Sequence, residues 1–215
     1  MVFIDTSHFP ESKRREISIR QQDRPVVKGN PLETSLVLDV LERALAERPE
    51  LASNNGIGII VPYANHVKEI QKEIRTNRVG LLKSIKIPLN ELVASVDSFQ
   101  GQERDLIIMA FTRSNYSGSV GFLSDWRRLN VAMTRTKKQL VMVGDLSTLK
   151  KIDRRKGEHA RDYEFKQAME ELEKFLKNNC QYIDAIRWTK YSSQPVKIVN
   201  KPLNEIQKRG SVAHV

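Results

Sequence analysis

Cysteine is almost missing from this chain: its 215 residues contain one, Cys180. A single cysteine excludes an intrachain disulfide and a cysteine-rich metal site, and it favours a reducing compartment. The four histidines are scattered without the spacing of metal ligands, so we expect no metal site. They stand at His8, His66, His159 and His214.

Long apolar runs are also missing. No run approaches the roughly 20 residues that a helix needs to span a bilayer. The N-terminus lacks the charged start and following apolar block of a signal peptide. We therefore expect an intracellular protein without a membrane partner, cytoplasmic, or nuclear if the source is a eukaryote.

A phosphate-binding loop of the pattern GxxxxGK[ST] does not occur in the sequence. The run Gly56–Gly58 is too short and is wrongly continued to serve as one. No acidic pair follows an apolar strand as in a Mg²⁺-holding motif, because Asp105 precedes its strand and Asp145 follows one alone. By itself the sequence therefore carries no complete set of nucleotide-hydrolysing motifs.

Positive charge is abundant. Lysine and arginine total 36 against 26 acidic residues, which gives a formal net charge of +10. Such a balance fits a domain that binds a polyanion, nucleic acid above all. A soluble domain that is merely basic is the alternative that composition leaves open.

Apolar runs alternate with amphipathic helical patterns along most of the chain. This alternation predicts an α/β domain, a three-layer sandwich with a mainly parallel sheet, over residues 1–186. Residues 187–215 are polar and basic without periodicity, which predicts a tail that is solvated or that contacts nucleic acid. Strands are predicted at 2–5, 56–61, 91–97, 105–111, 139–143 and 182–186, and helices at 31–48, 63–76, 125–136 and 161–178.

Polar residues directly follow four of the predicted strands. Ligands of parallel α/β sheets bind at the carboxyl ends of the strands, so we expect a site where these residues converge. They are Pro62 and Tyr63, Asp97 and Ser98, Thr112 to Ser114, and Gly144 and Asp145.

The segment SFQGQERD, residues 98–105, leads into the most apolar strand. Gly101 permits a tight turn or the close approach of a ligand. Gln100, Gln102 and Glu103 offer amide and carboxylate groups suited to sugar hydroxyls or bases. An ordinary solvated turn is the alternative interpretation.

The segment WRRLNVAMTRT, residues 126–136, predicts a helix that carries arginines. Arg128 and Arg135 lie about two turns apart and project from nearly the same face. The fixed fork and permanent charge of arginine suit it to stabilise charge that develops on a γ-phosphate. A solvated charged helix face is the alternative.

Three blocks, in order, resemble motifs IV, V and VI of the second RecA-like domain of superfamily 1B helicases. They are IGIIVPYANHV, SVDSFQGQERDLIIMAFTRS and GFLSDWRRLNVAMTRTKKQLVMVGD. This group contains the nonsense-mediated-decay helicase, senataxin and their bacterial-type relatives. The match runs from Val2 to about Ile186.

The resemblance implies a nucleotide-facing set of residues. Arg135 matches the arginine finger that contacts the γ-phosphate, and Arg128 matches an arginine near the interdomain cleft. Glu103 matches the glutamate that binds the ribose, beside Gln100 and Gly101, where the backbone comes close. The nucleic-acid-facing residues implied by the same motifs are Pro62, Tyr63, Asp97, Ser98, Thr112 and Arg113.

The resemblance also implies that the chain is the C-terminal motor domain of an ATP-dependent DNA or RNA helicase or translocase. ATP would be the cofactor, with its Mg²⁺ held by a first RecA-like domain that this sequence lacks. The partners would be that domain and a single nucleic-acid strand, and this chain alone would be inactive. The usual threonine before the Pro-Tyr pair is Val61 here, which removes a phosphate-binding hydroxyl. A non-enzymatic nucleic-acid-binding or protein-interaction module with the same fold is the alternative.

Overall fold

The computed structural model describes residues 1–21, 24–53, 55–99, 101–125, 130, 133–151, 160–179 and 181–190. The strands of this part of the chain are β1 Val2–Asp5, β2 Ile17–Gln21, β3 Arg24–Gly29, β4 Ile57–Ile60, β5 Val93–Ala94, β6 Arg104–Ala110, β7 Thr136–Gly144 and β8 Tyr182–Asp184. Its helices are α1 Glu11–Arg14, α2 Pro31–Glu47, α3 Ala64–Asn77, α4 Val79–Ser84, α5 Leu89–Leu92, α6 Leu146–Leu149, α7 Ala160–Asn178 and α8 Ala185–Lys190.

Six strands form one sheet in the order β5-β4-β6-β7-β1-β8, and every neighbouring pair is parallel. Strands β2 and β3 form a separate antiparallel hairpin. The prediction of an α/β domain with a mainly parallel sheet is therefore confirmed. None of the described helices is long and apolar enough to cross a membrane.

Alternation along the strands divides the interior into two cores, one on each face of the sheet. In β6, Leu106, Ile108 and Ala110 pack with α2 and α3, whereas Ile107 and Met109 pack on the side of α7. Because β6 is buried on both faces, its sequence from Leu106 to Ala110 is continuously apolar rather than alternating. The result is the predicted three-layer sandwich.

Helix α2 begins where its sequence provides a cap. Asn30 accepts a hydrogen bond from the backbone N–H of Glu33 at 3.2 Å, and Pro31 occupies the first turn, where a missing N–H costs nothing. The helix ends at Glu47, two residues before Pro49. This start places Asn30 and Glu33 beside the carboxyl edge of β6, where both bond to the backbone of Thr112.

The strand predicted over 91–97 is much shorter in the structure. Leu89–Leu92 is helical, only Val93–Ala94 pair with β4 at the sheet edge, and Asp97–Phe99 form a 3₁₀ turn. Phe99 is fully buried and lies against Gly58 of β4. The chain leaves the sheet after Ala94 and places the Phe99 ring on the face of β4.

The last predicted strand also ends earlier than expected, and residues 185–190 form α8 instead. Trp188 of this helix is buried, its indole N–H donates to the Asp39 carboxylate, and the Arg43 guanidinium lies over its ring. Residues 187–190, which the sequence placed in the tail, therefore pack against α2. Residues 191–215 lie outside the described residues.

The helix predicted over 125–136 is described only in part. Asn130, Met133 and Thr134 are helical, Arg135 is in a turn, and Thr136 already belongs to β7. The predicted helix was thus drawn slightly too long, because Thr136 pairs with Arg104 at the start of the ladder between β6 and β7. Residues 126–129, 131 and 132 lie outside the described residues.

Gly58 offers a test of how Phe99 crosses the sheet. A Cβ at this position would lie 2.4 Å from Phe99 Cζ, so Gly58→Ala should destabilise the fold by about 1–3 kcal/mol through overpacking. Gly80→Ala on α4 is the matched control, because no atom lies within 4 Å of the place that its Cβ would take. That change should be neutral or stabilise by up to about 1 kcal/mol. Urea unfolding of both variants would measure the difference, and equal stabilities would contradict the packing of Phe99 on β4.

Candidate functional site

Two turns meet at the amino edge of the sheet. One is the turn Gly101–Glu103 before β6, and the other holds Arg135 before β7. The backbone N–H of Arg104 donates to the carbonyl of Arg135 at 3.0 Å. The structure thus brings together three residues that the resemblance assigned to the nucleotide.

Arg104 holds these turns in place, and the sequence did not point to it. Its side chain is only 4% exposed and donates to Asn55 Oδ1 at 3.2 Å, to the Glu103 carbonyl at 3.2 Å and to Gln102 Oε1 at 2.8 Å. Burial lowers the pKa of its guanidinium. The one sequence signal was a charged residue placed between a turn and an apolar run, which is the pattern of a strand start.

A groove of about 710 Å³ opens beside the Gly101 turn. Gly101 has a φ of +82°, and no atom lies within 4 Å of where its Cβ would stand, so a ligand has room at the backbone. The groove carries cationic, acidic and amide side chains together. It is lined by Asn55, Lys86, Ile87, Pro88, Glu91, Gly101, Gln102, Glu103, Arg104 and Lys137.

Glu103 lies at the surface of this groove. Its carboxylate forms an ion pair with Lys137 Nζ at 3.3 Å, and both side chains are about half exposed. An exposed pair of this kind contributes little to stability and exchanges readily with solvent or ligand. The carboxylate is therefore available to accept hydrogen bonds from a ligand hydroxyl.

Arg135 lies at the same edge. Its side chain is half-buried, and its buried Nε has no hydrogen-bond acceptor among the residues that the structure describes. The Nε of Arg104 is in the same state, but the terminal nitrogens of Arg104 donate to Asn55, Glu103 and Gln102. Arg128 and Gln100, which were predicted to join this group, lie outside the described residues.

The opposite, carboxyl edge holds the other predicted group. Pro62 is half-buried, and the Tyr63 hydroxyl donates to the Val120 carbonyl at 3.4 Å. Asp97 and Ser98 are exposed in the 3₁₀ turn after β5, and the Ser98 carbonyl accepts from Gln102 Nε2 at 3.3 Å, so this turn joins the crossing towards the amino edge. Pro62 and Tyr63 thus lie at the opposite edge from Gly101, Glu103 and Arg135, a division that the sequence alone did not predict.

Thr112 and Arg113, which follow β6, are buried. Thr112 adopts a φ of +71°, and its backbone N–H donates to Glu33 Oε2 at 2.6 Å. Arg113 forms an ion pair with Glu16 at 2.9 Å, and its Nε donates to the Ser119 carbonyl. Both side chains therefore shape the turn after β6 rather than project from it.

Asp145, after β7, is also fully occupied. Its carboxylate accepts from Ser114 Oγ at 2.6 Å, from the Thr148 backbone N–H at 3.2 Å and from the Arg14 guanidinium. Within the described part of the chain, no group of three His, Cys, Asp or Glu residues is placed to hold a metal ion. This carboxylate is a structural hub between β6, α1 and α6.

Burial perturbs two titratable groups below the carboxyl edge. It lowers the pKa of His66 to about 4, since both ring nitrogens face threonine hydroxyls and the charged form would be desolvated. It raises the pKa of Glu33 well above the ordinary value, although the Thr112 amide opposes this shift. Both groups fix the turn after β6 to the starts of α2 and α3.

Comparison with known proteins places these features in a family. Residues 1–147 match the model of a family described as an AAA domain. The chain is 37% identical over 129 residues to the DNA polymerase alpha-associated DNA helicase A of Saccharomyces cerevisiae, covering 60% of this chain and 18% of that protein.

Two further relatives cover about half of the chain. Identity is 39% over 100 residues to the DNA replication ATP-dependent helicase/nuclease DNA2 of Mus musculus, covering 46% of this chain and 9% of that protein. Identity is 43% over 117 residues to the regulator of nonsense transcripts 1 of Dictyostelium discoideum, covering 52% of this chain and 8% of that protein. The chain thus spans less than a fifth of the length of each of these relatives.

The depressed pKa of His66 predicts a pH-dependent stability. Between about pH 6.5 and about pH 4 the unfolded state binds a proton that the folded state refuses. The free energy of unfolding is therefore higher above pH 6.5, where His66 is neutral in both states. It falls by about 3 kcal/mol as the pH falls towards 4.

His66→Gln removes this titrating group. The free energy of unfolding of the variant should therefore fall less steeply between pH 6.5 and 4 than that of the wild type, even if the variant is less stable at pH 7. Denaturant unfolding at pH 4 to 7 measures both slopes, and the opposing effect of Glu33 is common to both proteins. Parallel slopes would mean that His66 is not held neutral.

Proposed function

Because this chain belongs to the AAA domain family, and the relatives named above include helicases, we propose that it is the C-terminal motor domain of an ATP-dependent helicase or translocase. The amino edge of its sheet would complete an ATP site that a first RecA-like domain begins. The carboxyl edge would contact one nucleic-acid strand.

The observation that carries this proposal is the position of Arg135 beside the open Gly101 turn, where the Arg104 backbone N–H donates to the Arg135 carbonyl at 3.0 Å. A guanidinium held on a rigid strand end stabilises negative charge that develops on a γ-phosphate. Arg104 orients both turns through its hydrogen bonds, so the cation is positioned before any ligand arrives.

Glu103 and Gly101 fit the sugar end of a nucleotide. The Glu103 carboxylate would accept from a ribose hydroxyl, and the open backbone at Gly101 would let the sugar approach. Bound ATP supplies the phosphoanhydride whose hydrolysis drives motion between the domains, and its Mg²⁺ would be held by the first domain. By the same resemblance, Arg128 would stand near the interdomain cleft and Gln100 would add an amide at the turn.

The carboxyl edge supports contact with a strand through its backbone and small side chains. Asp97 and Ser98 are exposed in the 3₁₀ turn after β5, where the Ser98 amide and hydroxyl lie 3.3 and 2.9 Å from Ser95 Oγ, and Pro62 and Tyr63 form the turn after β4. Arg113 would act chiefly through the turn that it braces with Glu16, since that pair is buried. Phosphates held by backbone N–H groups and hydroxyls position a strand without selecting its sequence.

Arg135→Ala in the intact protein should lower the ATPase rate by about a thousandfold or more, because it removes transition-state charge stabilisation. The dissociation constant for a single strand should change little, because Arg135 lies at the opposite edge. Arg75→Ala on α3 is the control, as it deletes an exposed arginine that does not line the groove. An unchanged ATPase rate for Arg135→Ala would contradict the role of Arg135 at the γ-phosphate. Robust ATP hydrolysis by this chain alone would reveal a site elsewhere.

Glu103→Ala should raise KM for ATP about tenfold with a smaller effect on kcat, since a charged hydrogen bond to the ribose is lost. The preference for ATP over its dideoxyribose analogue should fall in parallel. Asp105→Asn is a matched control, because Asp105 forms a neighbouring surface pair with Lys138 at 2.8 Å. If the ratio of kcat/KM for ATP to kcat/KM for the dideoxyribose analogue were the same in wild type and Glu103→Ala, the ribose contact would be contradicted.

A further inference from the structure

The loop that follows β6 exposes two aromatic rings. Tyr116 and Phe122 are each 60% exposed, whereas the other phenylalanine rings of the sheet region, such as Phe99 and Phe111, are completely buried. Neither ring belongs to the residues that the resemblance assigned to a ligand. Together the two rings give this loop an aromatic surface that is open to solvent.

The loop is internally braced, so the rings have fixed positions. The Asn115 side chain accepts from the Ser119 backbone N–H and from Ser117 Oγ, both at 2.9 Å, and its amide donates to the Ser119 carbonyl. Gly118 and Gly121 adopt left-handed φ values of +65° and +57°, which close the loop tightly. A ring on such a loop loses little freedom when a ligand stacks on it.

Phe122 extends the carboxyl-edge surface. Its ring centroid lies 5.5 Å from that of Tyr63, with the two planes tilted by 50°. The loop sits tightly on Tyr63, because a Cβ at Gly121 would lie 2.6 Å from the tyrosine hydroxyl. Phe122 is therefore adjacent to the turn of Pro62 and Tyr63, where the proposed strand would pass.

Cations flank the other exposed ring. The Arg15 guanidinium lies over the Tyr116 ring, and Lys151 Nζ donates to the Tyr116 carbonyl. The Arg15 side chain is about one third exposed and pairs with Glu11 at 3.0 Å, and Lys151 is exposed. Aromatic faces combined with cations that can reach phosphates are the chemistry by which proteins hold single strands.

We propose that the loop 115–122 is a base-stacking platform for single-stranded nucleic acid. Phe122 presents the ring on which a base stacks, and Arg15 and Lys151 contact neighbouring phosphates. Bases within a duplex present no free face, so the ligand class is a single strand of any sequence. The platform rests on the proposed function and deepens it, because it adds base contacts to an edge that otherwise meets only the backbone.

The test compares two ligands that differ only in their bases: an oligothymidylate and an abasic phosphodiester strand of equal length. The full chain should prefer the base-bearing strand. Phe122→Ala should weaken oligothymidylate binding about fivefold or more, as expected for a lost stacking contact, and leave the abasic strand unaffected. Phe122→Trp should retain the affinity, and its added fluorescence should be quenched by oligothymidylate but not by the abasic strand.

Two variants separate stacking from other effects. Phe122→Leu keeps an apolar contact with Tyr63 but has no aromatic face, so it should behave like Phe122→Ala. Leu82→Ala deletes an exposed apolar side chain on α4, away from the loop, and should bind like wild type.

Each remaining outcome is decisive. Wild-type affinity of Phe122→Ala for both strands would overturn the platform while leaving the strand-binding edge intact. Full affinity of Phe122→Leu would show a simple apolar contact and would overturn stacking. If the wild-type chain bound neither strand, the platform would fall together with the proposed role of the carboxyl edge.

Discussion

The parallel pairing of all six strands in the main sheet is the constraint on which the rest of the structure depends. Each connection between parallel neighbours has to carry the chain from the carboxyl edge back to the amino edge. Strand ends and strand starts therefore supply two separate sets of turns. In this domain both sets carry polar residues, Thr112–Ser114 at one edge and Gly101–Glu103 at the other.

The return from β5 to β6 meets this constraint without a long helix. The 3₁₀ turn Asp97–Phe99 starts the crossing, and the buried Phe99 ring lies against Gly58, where a side chain would block it. Arg104 then lies close to Phe99 and ties the turn to Asn55 and Gln102. This short, internally braced connection forms one wall of the groove at the amino edge.

Local pattern was enough to predict most of the strands, the start of α2 and the tight turn at Gly101, because each depends on neighbouring residues. It failed where contacts join distant segments. Glu16 meets Arg113, and Glu33 meets Thr112, through packing of the hairpin and α2 against the end of β6. Arg113 therefore looked like an exposed cation in the sequence, whereas its charge is neutralised by a residue 97 positions earlier. The edge at which each turn lies also follows from topology and from no single motif.

Strand β6 links the two surfaces as a rigid rod. Arg104 stands at its start, Ala110 at its end, and all but Asp105 of its residues are buried. At the far end Glu33, His66 and Asn30 hold the left-handed Thr112 from three sides, through its backbone N–H, hydroxyl and carbonyl. Packed cores do not deform continuously. A strand fixed at both ends in this way therefore moves as a rigid body. Movement of the amino edge towards a nucleotide would therefore carry the carboxyl edge, and the rings beside it, along a strand.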